Sequence, residues 1–265
     1  MKPGLLVISH GSSDRGWVSL VDRTIETVRE RMGDALRIEA GFLELVDGRL
    51  IQDGIDRLIA EGVTDVLALP LFVSSGSTHV DEIGWALGAF QEPGTETDLE
   101  RFRTSPMRVT YEKPMGTDPE IIGIVAERLS EMSVDPSEEI VLLVGHGSSV
   151  DDFREKCEQE LPIIAKKVAE KGKYAEGTTA LLLPSQVGTR LAELADKRPG
   201  NRVLVCALFL GEGYFTKTVV PRRLEESGLM ELCRYNGRAL MPHPNVAEWI
   251  GRKASEWLKN VHAHT

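Results

Sequence analysis

Basic charge, cysteine and long apolar runs are all scarce in this chain, and each scarcity removes a class of function. Lysine and arginine number 31 against 41 aspartates and glutamates, a formal charge of −10. That balance argues against nucleic acid or an anionic membrane as a partner. An anionic small molecule remains admissible if local donors meet it. No apolar stretch approaches the ~20 residues of a membrane span, and the run after MKPG is too short for a signal peptide, so the expected compartment is the cytoplasm. The three cysteines, Cys157, Cys206 and Cys233, show neither CxxC nor any other metal-ligand spacing. Cys206, inside VLVCALFL, is expected to be buried and inert. GxGxxG and Walker loops are also absent, so no nucleotide or other organic cofactor is expected.

What is present is an internal repeat. GLLVISHGSSDRG, from Gly4 to Gly16, is echoed by IVLLVGHGSSV, from Ile140 to Val150. Each apolar run stops at His-Gly-Ser-Ser. A run of Leu, Val and Ile without polar alternation suits a strand covered on both faces, as in a parallel sheet. His10 and His146 are therefore expected just past the carboxyl ends of first strands, where open α/β sheets bind their ligands.

The first half continues as β-α-β-α-β. Val18, Val21, Ile25, Val28 and Met32 form one helical stripe closed by Gly33. Leu36 to Leu45 reads as a strand with Glu44 at its end. Ile51, Ile55, Leu58 and Ile59 mark a second helix, and Asp65 to Val73 is a third, buried strand running into SSGSTHVDEI. From Glu92 to Pro106 the chain is polar and rich in Pro, Gly and Thr, an excursion over the surface. A short strand at Met107 to Tyr111 and a helix from Asp118 to Met132 finish the half.

Ser133 to Glu139 contains Pro136 and reads as the linker. The second half follows the same order: a helix over Asp151 to Lys171, a strand at Thr178 to Leu183, a helix over Ser185 to Lys197, and the strand RVLVCALFL. The fold class expected is α/β, with two tandem similar domains over 1–133 and 139–265, each a parallel sheet flanked by helices. Such a duplication favours a monomer.

Three side chains of the first half are expected at adjacent strand ends: His10, Glu44 and His79. Two imidazoles and a carboxylate suit divalent-metal binding or proton transfer near neutral pH, and imidazole favours Fe, Co, Ni and Zn over Mg or Ca. Ser12, Ser13, Ser74, Ser75, Gly76, Ser77 and Thr78 offer hydroxyls and backbone amides of little bulk, a suitable lining for a flat, anionic ligand.

SHGSSDRG, GFLEL and PLFVSSGSTHVDEI together resemble the CbiX/SirB group of sirohydrochlorin chelatases, within the class II chelatase superfamily. The resemblance covers essentially the whole chain. It implies a chelatase-like fold and insertion of a divalent metal (Co²⁺, Fe²⁺ or Ni²⁺) into sirohydrochlorin, for sirohaem or cobalamin. The resemblance also implies that His10 and His79 bind the metal and help remove pyrrole protons, with Glu44 assisting. The alternative is a non-catalytic tetrapyrrole or metal carrier of the same fold, which would not need the full set.

The second half departs from that pattern. It keeps His146 but is expected to place Thr216 opposite His79, and Leu182 or Leu183 opposite Glu44. Neither replacement can hold a divalent metal or take a proton at neutral pH, so the active site is assigned to the first half. Glu212 is the one carboxylate near the second edge, and His243 reads as a helix-start residue. The end of the chain, His262-Ala-His264, reads as a fraying helix.

Overall fold

The computed structural model describes residues 2–263, which places His264 outside the described residues. The first strand, β1 (Pro3–Ser9), is almost wholly buried, as its unbroken apolar run requires. Helix α1 (Arg15–Met32) starts where the Asp14 carboxylate accepts the Gly16 N–H, and it stops at Gly33, whose positive φ ends the helical path. Strand β2 (Arg37–Phe42), helix α2 (Ile51–Ala60), strand β3 (Asp65–Pro70), helix α3 (Thr78–Ala86), strand β4 (Arg108–Tyr111) and helix α4 (Pro119–Ser130) follow.

The second series is β5 (Glu139–Gly147), α5 (Asp151–Gly172), β6 (Glu176–Leu183), α6 (Val187–Lys197) and β7 (Arg202–Ala207). A π-helical turn over Phe215–Val219 then leads into α7 (Val220–Glu226), the two-residue strand β8 (Cys233–Arg234) and α8 (Pro244–His262). Both sheets are four-stranded and parallel, ordered β2-β1-β3-β4 and β6-β5-β7-β8.

Alternation along each first strand divides its side chains between two buried faces. In the first sheet Leu6 and Ile8 meet Ile51, Ile55 and Leu58 of α2 and Ile83 of α3. Leu5 and Val7, on the opposite face, are fully buried as well. In the second sheet Leu142 and Val144 pack with Val187, Leu191 and Leu194 of α6 and with Val220 and Leu224 of α7.

The compact units do not coincide with the sequence halves. One comprises Met1–Met115 with Val246–Thr265, and the other Gly116–Asn245. The polar linker places the boundary of the sequence repeat between 1–133 and 139–265, and the compact units exchange the closing helices of the two repeats. Helix α8 instead belongs with the first unit, where its Trp257 indole donates to Thr110 Oγ1 of β4 at 3.2 Å and Glu248 pairs with Arg31 of α1 at 2.5 Å. Helix α4 belongs with the second unit. There the buried Arg128 guanidinium donates to the carbonyls of Ala239 and Pro242, both at 3.0 Å, and pairs with Glu131. Linker composition marks a polar stretch of chain; it carries no information on which sheet a helix covers.

The expected elements are otherwise present with ends moved by a few residues. Helices α3 and α7 and strand β8 are additional: the sequence reading assigns no helix to SSGSTHVDEI and expects His79 at a strand end, whereas His79 lies in the first turn of α3. Among the described residues no helix is long and apolar enough to cross a membrane.

Candidate functional site

The first unit gathers its polar chemistry at the carboxyl ends of β1, β2 and β3. Backbone pairing carries beyond the formal strands: Leu43 N–H donates to the Ser9 carbonyl at 2.9 Å and Glu44 N–H to the His10 carbonyl at 3.0 Å. Residues 10 and 44 are thus held side by side. Gly11, at φ +101°, lies so close to Glu44 that an added Cβ would sit 1.9 Å from its carbonyl oxygen. The next residue, Leu45, has φ +66°, a conformation that costs a branched side chain about 1–3 kcal/mol. The turn holding Glu44 is therefore both close-packed and strained.

On this frame His10 Nε2 lies 3.6 Å from Glu44 Oε1, and both side chains are partly open to solvent. His10 Nδ1 faces the Gly11 carbonyl at 3.3 Å. The Gly11 carbonyl and the Glu44 carboxylate both only accept, so a neutral His10 ring donates to one of them and turns a lone pair to the other.

His79 enters from the first turn of α3. Its ring meets that of His10 edge to face, with centroids 4.7 Å apart and planes at 74°. Phe72 lies behind it at 6.4 Å. His10, Glu44 and His79 are therefore neighbours on one edge, although His79 reaches it from a helix and not from a strand end. Among the described residues no three His, Cys, Asp or Glu side chains form a ready metal cage. The two imidazoles and the carboxylate are adjacent and partly exposed.

The small polar residues line the same edge. Ser12 Oγ accepts the Asp14 N–H at 3.0 Å, and Ser74 Oγ accepts the Gly76 N–H at 3.0 Å, so both serines shape their own loops. Ser13 is exposed, Gly76 is buried, and Ser75, Ser77 and Thr78 are half-buried. Ser77 stands immediately before α3, with its carbonyl accepting from Val80 N–H at 3.1 Å.

Two residues missed in the sequence complete the surroundings. Glu82 Oε1 lies 2.5 Å from His79 Nδ1. Thr97, from the 92–106 excursion, donates to Glu82 Oε2 at 2.7 Å. The spacing of three between His79 and Glu82 on an amphipathic stretch was the available signal.

The second unit shows which residues correspond. Gly147, at φ +76°, approaches the Leu183 carbonyl as Gly11 approaches that of Glu44, with a Cβ-to-oxygen distance of 2.1 Å. Leu183, not Leu182, therefore stands in the place of Glu44. The expected partner of His79 needs a correction. Tyr111 Oη donates to the Val80 carbonyl at 2.6 Å, and Tyr235 Oη donates to the Thr216 carbonyl at 2.7 Å. Thr216 thus matches Val80, and Phe215 matches His79. Consistently, Phe215 meets the His146 ring edge to face at 4.9 Å, while Thr216 is buried.

Five residues separate Phe209 from Phe215, against six between Phe72 and His79, and this one-residue shortening displaced the alignment. His146, Phe215 and Leu183 make an edge with one imidazole and no carboxylate. Glu212 is neutralised by Lys217 at 3.4 Å and Arg238 at 3.7 Å.

Two further readings hold. His243 Nδ1 accepts the Asn245 N–H at 3.1 Å at the start of α8, while Nε2 meets Glu127 at 3.0 Å, a contact that holds the Glu127 carboxyl below its ordinary range. Cys206 is buried, and desolvation pushes its thiol up to about 12.

Comparison with known proteins agrees with this duplicated plan. The CbiX family model matches residues 4–132 and again 140–257. A sirohydrochlorin ferrochelatase of Priestia megaterium is 28% identical over 79% of this chain and 73% of its own. A sirohydrochlorin cobaltochelatase of Methanopyrus kandleri is 27% identical over 48% of this chain and 94% of its own, the extent of a single repeat. The structure of SirB from Bacillus subtilis with Fe³⁺ superposes with a TM-score of 0.76 at 20% identity, covering 99% of this chain and 98% of the other, which establishes a shared fold. With both repeats matched by one family model, the chain belongs to the CbiX family.

Proposed function

We propose that this protein is a sirohydrochlorin chelatase: it inserts a divalent metal ion, Co²⁺ or Fe²⁺, into a tetrapyrrole. The observation that carries the proposal is the contact of the His10 and His79 rings at 4.7 Å, with Glu44 3.6 Å from His10. The named relatives act on sirohydrochlorin with iron or cobalt.

The reaction replaces two pyrrole N–H protons with bonds to one M²⁺, so two protons leave for each metal that enters. The site must release its metal on every turnover. Two imidazoles with partly exposed nitrogens suit delivery, whereas a closed tetrahedral cage suits storage. In this reading His10 and His79 hold the incoming ion through nitrogen lone pairs. As the ion passes to the macrocycle, those same lone pairs become available to pyrrole protons. Glu44, beside His10 Nε2, stabilises the imidazolium that forms and passes the proton to solvent. The serine and threonine hydroxyls and loop amides at 12–13 and 74–78 meet the substrate's peripheral carboxylates, and a single duplicated chain acts as the monomer.

A tetrapyrrole or metal carrier would not require two imidazoles and a carboxylate on one edge. The test is the absorption spectrum of sirohydrochlorin mixed with the protein and Co²⁺, Fe²⁺ or Ni²⁺ in turn. Metal-dependent conversion is expected without nucleotide or organic cofactor. A rate no faster than the protein-free control with all three metals ends the chelatase reading.

A further inference from the structure

The mechanism so far leaves Glu82 without a role, yet its carboxylate makes the shorter of the two carboxylate–imidazole contacts at the site. Glu82 follows His79 by three residues on α3, so both side chains project from the same helix face. Its side chain is 15% exposed, against 40% for His79. The two oxygens divide their work: Oε1 meets His79 Nδ1 at 2.5 Å, and Oε2 accepts the Thr97 hydroxyl at 2.7 Å. Thr97 Oγ1 accepts the Leu99 N–H at 3.1 Å, which orients the hydroxyl so that its proton points at Glu82. Close by, Gly94 N–H donates to Asp81 Oδ2 at 2.5 Å, a second tie between the 92–106 segment and α3.

From this geometry we infer that Glu82 is the positioning residue of His79, and that Thr97 anchors Glu82. The inference rests on the chelatase reading only for what His79 Nε2 then does. A carboxylate accepts and does not donate, so a neutral His79 in this contact carries its proton on Nδ1. Nε2 is left as a bare lone pair, the atom able to ligate an ion or take a pyrrole proton. Carboxylates or carbonyls behind metal-ligating histidines fix ring orientation and tautomer in this way. Here the clamp also joins a surface segment to the reacting histidine.

The internal repeat provides an independent comparison. Where Phe215 replaces His79, the residue three positions on is Thr218, so imidazole and carboxylate are absent together. The connection from α7 to β8 spans only 227–232, against 87–107 from α3 to β4, so the segment that carries Thr97 has no counterpart. Carboxylate and anchor occur in the repeat that has the histidine to position.

The test combines ¹⁵N-histidine NMR with Co²⁺ titration of the intact protein, comparing the wild type with Glu82→Leu, Glu82→Gln and Thr97→Val. In the wild type His79 is expected as a single Nδ1–H tautomer. Glu82→Leu should mix the tautomers and weaken Co²⁺ binding by about 10–100-fold, seen in turnover as a raised KM for metal. Glu82→Gln retains an acceptor for Nδ1–H and should restore the single tautomer and most of the affinity. Thr97→Val, which leaves the Glu82–His79 contact in place, should shift the His79 resonances and weaken Co²⁺ binding several-fold.

A folded Glu82→Leu protein with His79 resonances and Co²⁺ affinity of the wild type overturns the inference. If Glu82→Leu does not fold, Thr97→Val decides, and unmoved His79 resonances there overturn it equally. A wild type that locks the His79 tautomer but does not metallate sirohydrochlorin supports the Glu82 assignment while ending the chelatase reading.

Discussion

Gly11 leaves no room for a side chain against Glu44: a Cβ there would lie 1.9 Å from the Glu44 carbonyl oxygen, and φ is +101°. The backbone that presents His10 and the backbone that presents Glu44 are held at the distance only glycine permits. Gly11→Ala is expected to lose at least the ~1–3 kcal/mol of a strained positive φ. It should also displace Glu44 and lower turnover. Gly147→Ala, at the equivalent place beside Leu183, should cost similar stability with little effect on kcat. Urea unfolding and steady-state kinetics of the two variants provide the comparison.

Removing either first-unit imidazole should cripple turnover. His10→Ala and His79→Ala are each expected to lower kcat/KM by about 10²-fold or more, the usual effect of losing a positioned proton-transfer group. His146→Ala, whose ring neighbours Phe215 and Phe209, should cost far less. Should His146→Ala abolish activity while His79→Ala retains it, the assignment of the site to the first unit is inverted.

The corrected correspondence can be tested by construction. Phe215→His together with Leu183→Glu rebuilds in the second unit the trio of the first, around the existing His146. The double variant is expected to bind one more equivalent of Co²⁺ than the wild type. Thr216→His with Leu183→Glu should not, because Thr216 is buried. Calorimetric titration distinguishes the two.

Acid should weaken the second unit through Glu176. The hydrogen bond from Lys197, supplemented by that from Arg198, outweighs desolvation and lowers the carboxyl from its ordinary 4.5. A carboxylate whose folded pKa is depressed contributes stability that is fully present above the unfolded value and is lost as pH falls through the folded one. Unfolding midpoints measured between pH 3 and 7 should therefore drop below about pH 5, and Glu176→Gln should flatten part of that drop.

The Cys206 thiol, pushed up to about 12 by burial, should resist an aromatic disulfide reagent at pH 8 in the folded protein and react once urea unfolds it. Prompt reaction of Cys206 in the native state would mean that β7 is far more open than its burial indicates.

Much of this architecture was legible because parallel strands are written plainly. Uninterrupted runs such as GLLVIS and IVLLVG have few alternatives to a doubly covered strand, and a His-Gly step just after one marks a ligand edge. What was not legible has identifiable physical reasons. Helix α3 follows a half-buried serine-rich loop and is only nine residues long, so its period hardly emerges. Phe215 was passed over for Thr216 because a one-residue shortening is invisible until a hydrogen bond, here Tyr235 to the Thr216 carbonyl, fixes the register. Glu82 looked like any charged residue on a solvated helix, and only a partner 2.5 Å away separates it from one.

The crossed allegiance of α4 and α8 gives the polar stretch 133–139 an unexpected meaning. A protease nick there would not release two self-sufficient halves. The leading fragment would lack Trp249 and Ile250, both fully buried in the first unit, while its own Ile121, Ile124 and Val125 would be stranded without the sheet they cover. The trailing fragment would suffer the reverse deficit. Each piece would hold the missing wedge of the other, so nicking should yield fragments that remain together and refold only as a pair. Each unit draws one helix from across that stretch, α8 in the first and α4 in the second, so a cut there divides both units.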